Sequence, residues 1–88
     1  MTEPVSEERQ QAYFDRARKG VLTWLAAQEG SAASLHDMHE YSSGKFLIAH
    51  QGFSKMMESF VAERLVAYDE ATRTTTLTDA GRRFIAAS

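Results

Sequence analysis

Apolar positions recur at helical period over the first third of the chain. Phe14, Ala17, Val21, Trp24 or Leu25, and Gln28 step along one stripe, and Arg9, Arg16, Arg18 and Lys19 lie mostly off it. The pattern predicts a long helix from about Ser6 to Gln28. Ser6 is the expected N-cap, and Glu7 and Glu8 place negative charge in the first turn, where the helix dipole favours it. Gly20 interrupts at a cost of about 1 kcal/mol relative to Ala, so two shorter helices are an alternative. Glu29-Gly30 supplies the stop, with Gly30 suited to the left-handed position after a helix.

A second, shorter helix is predicted to begin after Ser34, whose hydroxyl can cap it and whose N3 residue is Asp37. It carries Leu35 and Met38 inward, with Tyr41 a further candidate, and ends near Ser42-Ser43-Gly44. The stretch Lys45–Gly52 stays open between a helical turn and an extended link, because an apolar run as short as Phe46–Ala49 does not separate the two. Phe46, Leu47 and Ile48 are expected to be buried. A third helix is predicted from about Phe53 to Arg64, with Phe53, Met56 or Met57, Phe60, Val61 and Leu65 as its apolar stripe. Ser54, Lys55, Glu58, Ser59 and Ala62 form its exposed face.

Beyond Leu65 the pattern changes. Leu65–Tyr68 and Thr74–Thr78 are β-prone runs joined by the polar link Asp69-Glu70-Ala71-Thr72-Arg73, which reads as a small hairpin. Thr78 then caps a last helix, Asp79–Ala87, whose core contacts are Phe84 and Ile85. The expected fold is mainly α with a small β-hairpin, in the order α-α-α-β-β-α. Two strands do not stand alone, so the hairpin packs on the helices.

Composition narrows the classes of function. A chain of 88 residues holds one domain that buries roughly 60–65% of its unfolded surface, too little for a multidomain enzyme with a large enclosed pocket. Ten Lys and Arg against twelve Asp and Glu give a net charge of −2, which counts against indiscriminate coating of nucleic acid but not against a local binding face. Cysteine is absent, which removes disulfides, thiolate metal sites and thiol nucleophiles and favours a reducing compartment. Apolar runs of at most four residues exclude a membrane-spanning helix. Met1-Thr2-Glu3-Pro4 has neither the basic nor the apolar region of a signal peptide, so a cytoplasmic protein is expected. Phosphate loops, nucleophile elbows and acid–base pairs on separate rigid elements are missing, and no enzyme activity is expected.

A short helix, a turn, a longer amphipathic helix and a hairpin describe a winged helix-turn-helix. The segment Phe60-Val-Ala-Glu-Arg-Leu-Val-Ala-Tyr-Asp69 resembles the end of a winged-helix recognition helix leading into its first wing strand. Thr76-Leu77-Thr78-Asp79-Ala80-Gly81-Arg82-Arg83-Phe84-Ile85 resembles the second wing strand and following helix of MarR-like and PadR-like bacterial regulators, in which an L-T-x-x-G signature closes the wing. The spacing also has a purely structural sense: Leu77 points to the core, Thr78 caps a helix, and Gly81 lets that helix lie close to its neighbour. Where such regulators commonly carry Gly, before Leu65-Val66, this chain has Arg64. The likeness covers about residues 18–88, the winged-helix domain, and leaves residues 1–17 as an N-terminal helical extension.

The resemblance implies that the third helix enters the major groove of duplex DNA and the wing approaches the backbone, in the service of transcriptional regulation. The DNA-binding candidates are then His50, Gln51, Ser54, Lys55 and Ser59, with Arg73 from the wing. Gln and Ser can read base edges, and Lys55 and Arg73 suit phosphates. Against this, Ser31–Val66 holds three bases (Lys45, Lys55, Arg64) and four acids (Asp37, Glu40, Glu58, Glu63), a net of −1. The alternative is a winged-helix module whose exposed face binds a protein. Arg9, Arg16, Arg18, Lys19, Arg82 and Arg83 either flank DNA in a dimer or form solvated faces. Tyr13, Phe14 and Ala17 lie where the domain leaves little to pack on, and are assigned to a homodimer contact shared with the last helix. His36, His39 and Glu40, with His50 further on, offer metal-ligand spacing on a helix face but no H-E-x-x-H arrangement and no thiolate, so exposed histidines are the simpler account. No metal and no cofactor are expected.

Overall fold

The computed structural model describes residues 7–87, apart from the side chains of residues 7 and 8. The proposed Ser6 cap lies outside the described residues. Helix α1 spans Glu7–Ala27 without a break. Gly20 does not divide it, because the Phe46 ring packs onto it: a Cβ there would fall 2.3 Å from Phe46 Cζ. The inward stripe is Ala17, Val21, Leu22 and Leu25, all fully buried. Arg18 joins them at 8% exposure, so it is not on a solvated face. After α1 a 3-10 turn over Glu29–Ser31 reverses the chain, with Gly30 left-handed at φ 67 as its position suggested.

The element order differs from the expected one. A short strand β1, Ala32–Ser34, precedes helix α2 (Leu35–Phe46) and helix α3 (His50–Ala62), and strands β2 (Val66–Asp69) and β3 (Thr74–Leu77) then lead to helix α4 (Asp79–Ala86). The chain is therefore mainly α with a three-stranded antiparallel sheet in the order β1-β3-β2, in which the C-terminal hairpin is one pair. The Ala-Ala-Ser sequence of β1 carries no strand signal of its own. Pairing of Ala32 with Thr76 and Ser34 with Thr74 makes it a strand, and the Leu35 amide donates to the Arg73 carbonyl at 2.9 Å to close its end. This leaves β3 in the centre, with Thr75 fully buried.

Ser34 caps α2 as expected, its hydroxyl accepting the Asp37 amide at 3.0 Å. The helix runs past Ser42-Ser43-Gly44 to Phe46, since the Phe46 ring is held on Gly20 and the turn that ends α2 falls at Leu47, left-handed at φ 56. Leu47 is 86% exposed, which reverses the expectation that it is buried with Phe46 and Ile48. A side chain at a left-handed C-terminal position points away from the helix it terminates. Helix α3 starts a turn earlier than expected, at His50, and buries Phe53, Met56, Met57 and Phe60, while Val61 is half exposed. Arg64 takes the left-handed conformation (φ 61) without glycine's freedom. Three hydrogen bonds hold it there: Arg64 N to Val61 O, Leu65 N to Phe60 O, and Thr78 Oγ1 to Arg64 O at 2.6 Å.

Thr78 also accepts the Gly81 amide at 3.0 Å and so caps α4. A Cβ on Gly81 would lie 2.2 Å from the Leu65 carbonyl oxygen, which is the close approach its place in the motif implied. Leu77 is buried, and Phe84 and Ile85 pack against the core from α4.

Candidate functional site

Four of the proposed contact residues form one continuous exposed strip. His50, Gln51, Ser54 and Lys55 occupy the first two turns of α3 and are all exposed. They share a face because positions three and four apart on a helix are neighbours. Ser59, one turn on, is only half-buried, and its hydroxyl donates to the Met56 carbonyl at 2.7 Å. Glu58 stands exposed on the same helix. Arg73 comes from the β2–β3 turn, exposed and left-handed at φ 53.

The strip begins on an electropositive helix end. Ala49 at the N-cap contributes no side-chain hydrogen bond, and the first turn of α3 carries no acid. The leading amides therefore keep their donor capacity, with the positive end of the helix dipole behind them. By contrast, α2 is closed at its start by Ser34 and carries Asp37 there.

Tertiary packing brings His50 and Arg73 together. Both line a cleft of about 360 Å³ with His36, His39, Ser34, Leu35 and Phe53. The His39 and His50 rings meet edge to face at 5.3 Å, and His39 makes a similar contact with Phe53 at 5.0 Å. His39 Nε2 is buried and has no hydrogen-bond partner among the described residues. His36 Nε2 lies 3.1 Å from Glu40 Oε1. The i, i+3 spacing of His36 and His39 on α2 suggests metal ligands and carries no hint that this face meets the start of α3. Among the described residues no group of three or more His, Asp or Glu side chains is arranged to hold a metal ion.

Other basic residues are committed elsewhere. Arg18 Nη2 binds Glu63 Oε2 at 2.6 Å, and its guanidinium sits over the Phe60 and Phe84 rings at 5.6 and 5.3 Å. Arg82 Nη2 donates to Ser31 Oγ at 3.1 Å, fastening α4 to the turn after α1. Arg18, buried and paired, is therefore not a free flanking cation, whereas Arg82 is exposed.

Two apolar grooves accompany the strip. Tyr13, Phe14, Ile48, Ala49 and Gly52 line one of about 590 Å³ between α1 and the α2–α3 link, and the Tyr13 hydroxyl donates to the Phe46 carbonyl. Ala17 borders it but is fully buried within the single chain, so Tyr13 and Phe14 carry what this segment presents outward. Leu35, Met57, Val61, Ala62 and Tyr68 line the other, about 440 Å³, beside Glu58. Trp24 is used internally, its ring stacked on Tyr41 at 4.8 Å. Among the described residues no helix is long and apolar enough to cross a membrane. No protein-family model, curated protein or solved structure matches the chain.

Proposed function

We propose that the chain is a winged helix-turn-helix protein that binds duplex DNA and regulates transcription. In this reading residues 18–88 are the winged-helix unit, α2 and α3 are the helix-turn-helix, and the β2–β3 hairpin is the wing. The observation that carries it is the exposed strip His50, Gln51, Ser54 and Lys55 on an uncapped, acid-free helix start, with Arg73 of the wing sharing a cleft with His50. Helix α3 then lies in the major groove, where Gln51 and Ser54 reach base edges and Lys55 and Arg73 reach phosphates. The N-terminal extension, residues 1–17, brings Tyr13 and Phe14 to a homodimer contact. The protein acts in the cytoplasm, without a cofactor and not as an enzyme, by occluding or bending its promoter.

Binding to a fragmented genomic DNA pool, followed by selection and sequencing of the retained fragments, tests this. A recovered palindrome, with an affinity that falls steeply with salt, supports a dimeric DNA-binding protein. No retained fragment at low salt sinks the reading. A second reading rests on a specific feature of the same helix: the apolar groove formed by Leu35, Met57, Val61, Ala62 and Tyr68 with Glu58 on its rim. That surface suits an apolar, basic-flanked segment of a protein partner, and it becomes the better account if DNA fails.

A further inference from the structure

We propose that the groove between α1 and α2 binds an amphiphilic organic anion, a medium-chain acyl carboxylate, with its head among Arg16, Lys19 and Lys45 and its chain along Phe46, Tyr41 and Trp24. The groove has a volume of about 550 Å³, and its two ends differ. The Phe46 ring packs on Gly20 and brings the end of α2 against the middle of α1, so Lys45 joins Arg16 and Lys19 at one end. From there an aromatic wall leads away. Phe46 meets Tyr41 edge to face at 6.1 Å, and Tyr41 stacks on Trp24 at 4.8 Å. Ala27 lies at the far end, where no charged side chain lines the groove. The stack uses one face of each ring, and Trp24, Tyr41 and Phe46 all stay only half-buried.

Charge complementarity selects the ligand. Three cations and no acid line the groove, on a chain whose net charge is −2. Arg16, Lys19 and Lys45 make no ion pair among the described residues, and the acids next to this groove in sequence are engaged elsewhere, Asp15 with Arg18 and Glu40 with His36. Like charges gathered in one place repel, and an anion relieves the repulsion. The division between charge and apolar wall then separates the ligand classes. A single nucleic acid strand alternates phosphates and bases, and needs cations spaced along the aromatics. Arg16 to Ala27 spans about 16 Å of helix, and its cations fall only in the first turn of that span. A ligand with one anionic head and an apolar body matches this division: the body removes apolar surface from water, and the head meets charge-assisted donors. None of His50, Gln51, Ser54 and Lys55 lines the groove, so the inference is independent of the DNA reading.

The test is a titration of the full chain with decanoate at about pH 7, where a carboxylate is ionised, below its micelle concentration. Two signals follow it: the fluorescence of Trp24, the chain's single tryptophan, and the backbone amide shifts by NMR. Saturable binding is expected, with the shifts centred on Gly20 and Lys45. Acetate, which carries the head alone, should give no saturable response. Decyltrimethylammonium, which reverses the charge of the head, should bind more weakly by about tenfold or more. Lys19→Gln combined with Lys45→Gln should weaken decanoate about tenfold, at about two- to fivefold for each cation. Ala27→Glu should weaken it from the other end, by placing a charge on the apolar wall; circular dichroism verifies the fold of both variants. Undiminished affinity in either variant, a saturable response to acetate, equal binding of the cationic amphiphile, or shifts centred on the Tyr13–Phe14 or Leu35–Tyr68 groove overturns the proposal. So does a change in Trp24 emission on dilution alone, which would give the groove to a second copy, or a single-stranded oligonucleotide that binds there more tightly than decanoate.

Discussion

Arg18 of α1 and Glu63 just beyond α3 meet at 2.6 Å, with the arginine 8% exposed between the Phe60 and Phe84 rings. This arginine is a packing element as much as a charge. Its stem and guanidinium fill the junction of three helices, and Glu63, half exposed, supplies the counter-charge from the rim. Arg18→Ala should lower stability by about 2–3 kcal/mol, because it removes packing and the pair together. Glu63→Gln should cost about 1 kcal/mol, since a screened partner at the surface contributes less. Chemical denaturation of both variants gives the comparison, and equal losses would mean that the ion pair, not the packing, dominates.

Gly81→Ala should destabilise by about 1–3 kcal/mol or more. Its new methyl would meet the Leu65 carbonyl at 2.2 Å, a backbone atom that cannot rotate aside. Helix propensity alone predicts the opposite sign, a gain of about 1 kcal/mol. Thermal unfolding decides, at about 4–8 °C per kcal/mol for a domain of this size. A raised melting temperature would show that α4 does not lie this close to Leu65.

Thr78 ties two elements with one hydroxyl, donating to the Arg64 carbonyl and accepting the Gly81 amide. Thr78→Ala should therefore cost more than the ordinary cap loss of about 1 kcal/mol, whereas Thr78→Ser should retain most of the stability. The left-handed Arg64 depends on the first of these bonds. Arg64→Gly should rescue part of the Thr78→Ala loss, and a strictly additive double variant would contradict the coupling.

Leu47 is 86% exposed and left-handed at φ 56, a conformation that costs a non-glycine residue about 1–2 kcal/mol. Leu47→Gly should raise stability, by about 1 kcal/mol. It also adjoins Ile48 of the Tyr13–Phe14 groove. If that face joins two copies, Tyr13→Glu should shift the protein toward monomer in sedimentation experiments; an unchanged monomer at micromolar concentration would remove the dimer.

On the proposed DNA face, Lys55→Ala should weaken binding across sequences and lower the salt slope by about 1. Glu58→Gln should strengthen it, because its carboxylate faces the approaching backbone from the same helix. Anisotropy titrations at several salt concentrations test both. An unchanged slope for Lys55→Ala would mean that α3 does not lie against phosphate.

Local rules in the sequence determined most elements. The 3.6 period marked α1 and the inner face of α3, the side chains of Ser34 and Thr78 marked two helix starts, and the Leu-Thr-x-x-Gly spacing implied a capped helix lying close to a neighbour. The exposed row Ser54, Lys55 and Glu58 was legible for the same reason, since the face opposite an apolar stripe is solvated, whereas His50 and Gln51 lay in a stretch whose helical turn the sequence left open. Tertiary structure decided what has no local signature. Ala32–Ser34 is a strand only because β3 offers an edge; α2 reaches Phe46 because that ring is held on Gly20, twenty-six positions earlier. Arg18 is buried because Glu63 and two phenylalanine rings receive it. His39 and His50 come from different helices, and only the α2–α3 packing makes a cleft of them with Arg73. Periodicity and capping act within a few residues, whereas a strand edge, a ring seated on a glycine or a shared cleft depends on partners distant in the chain.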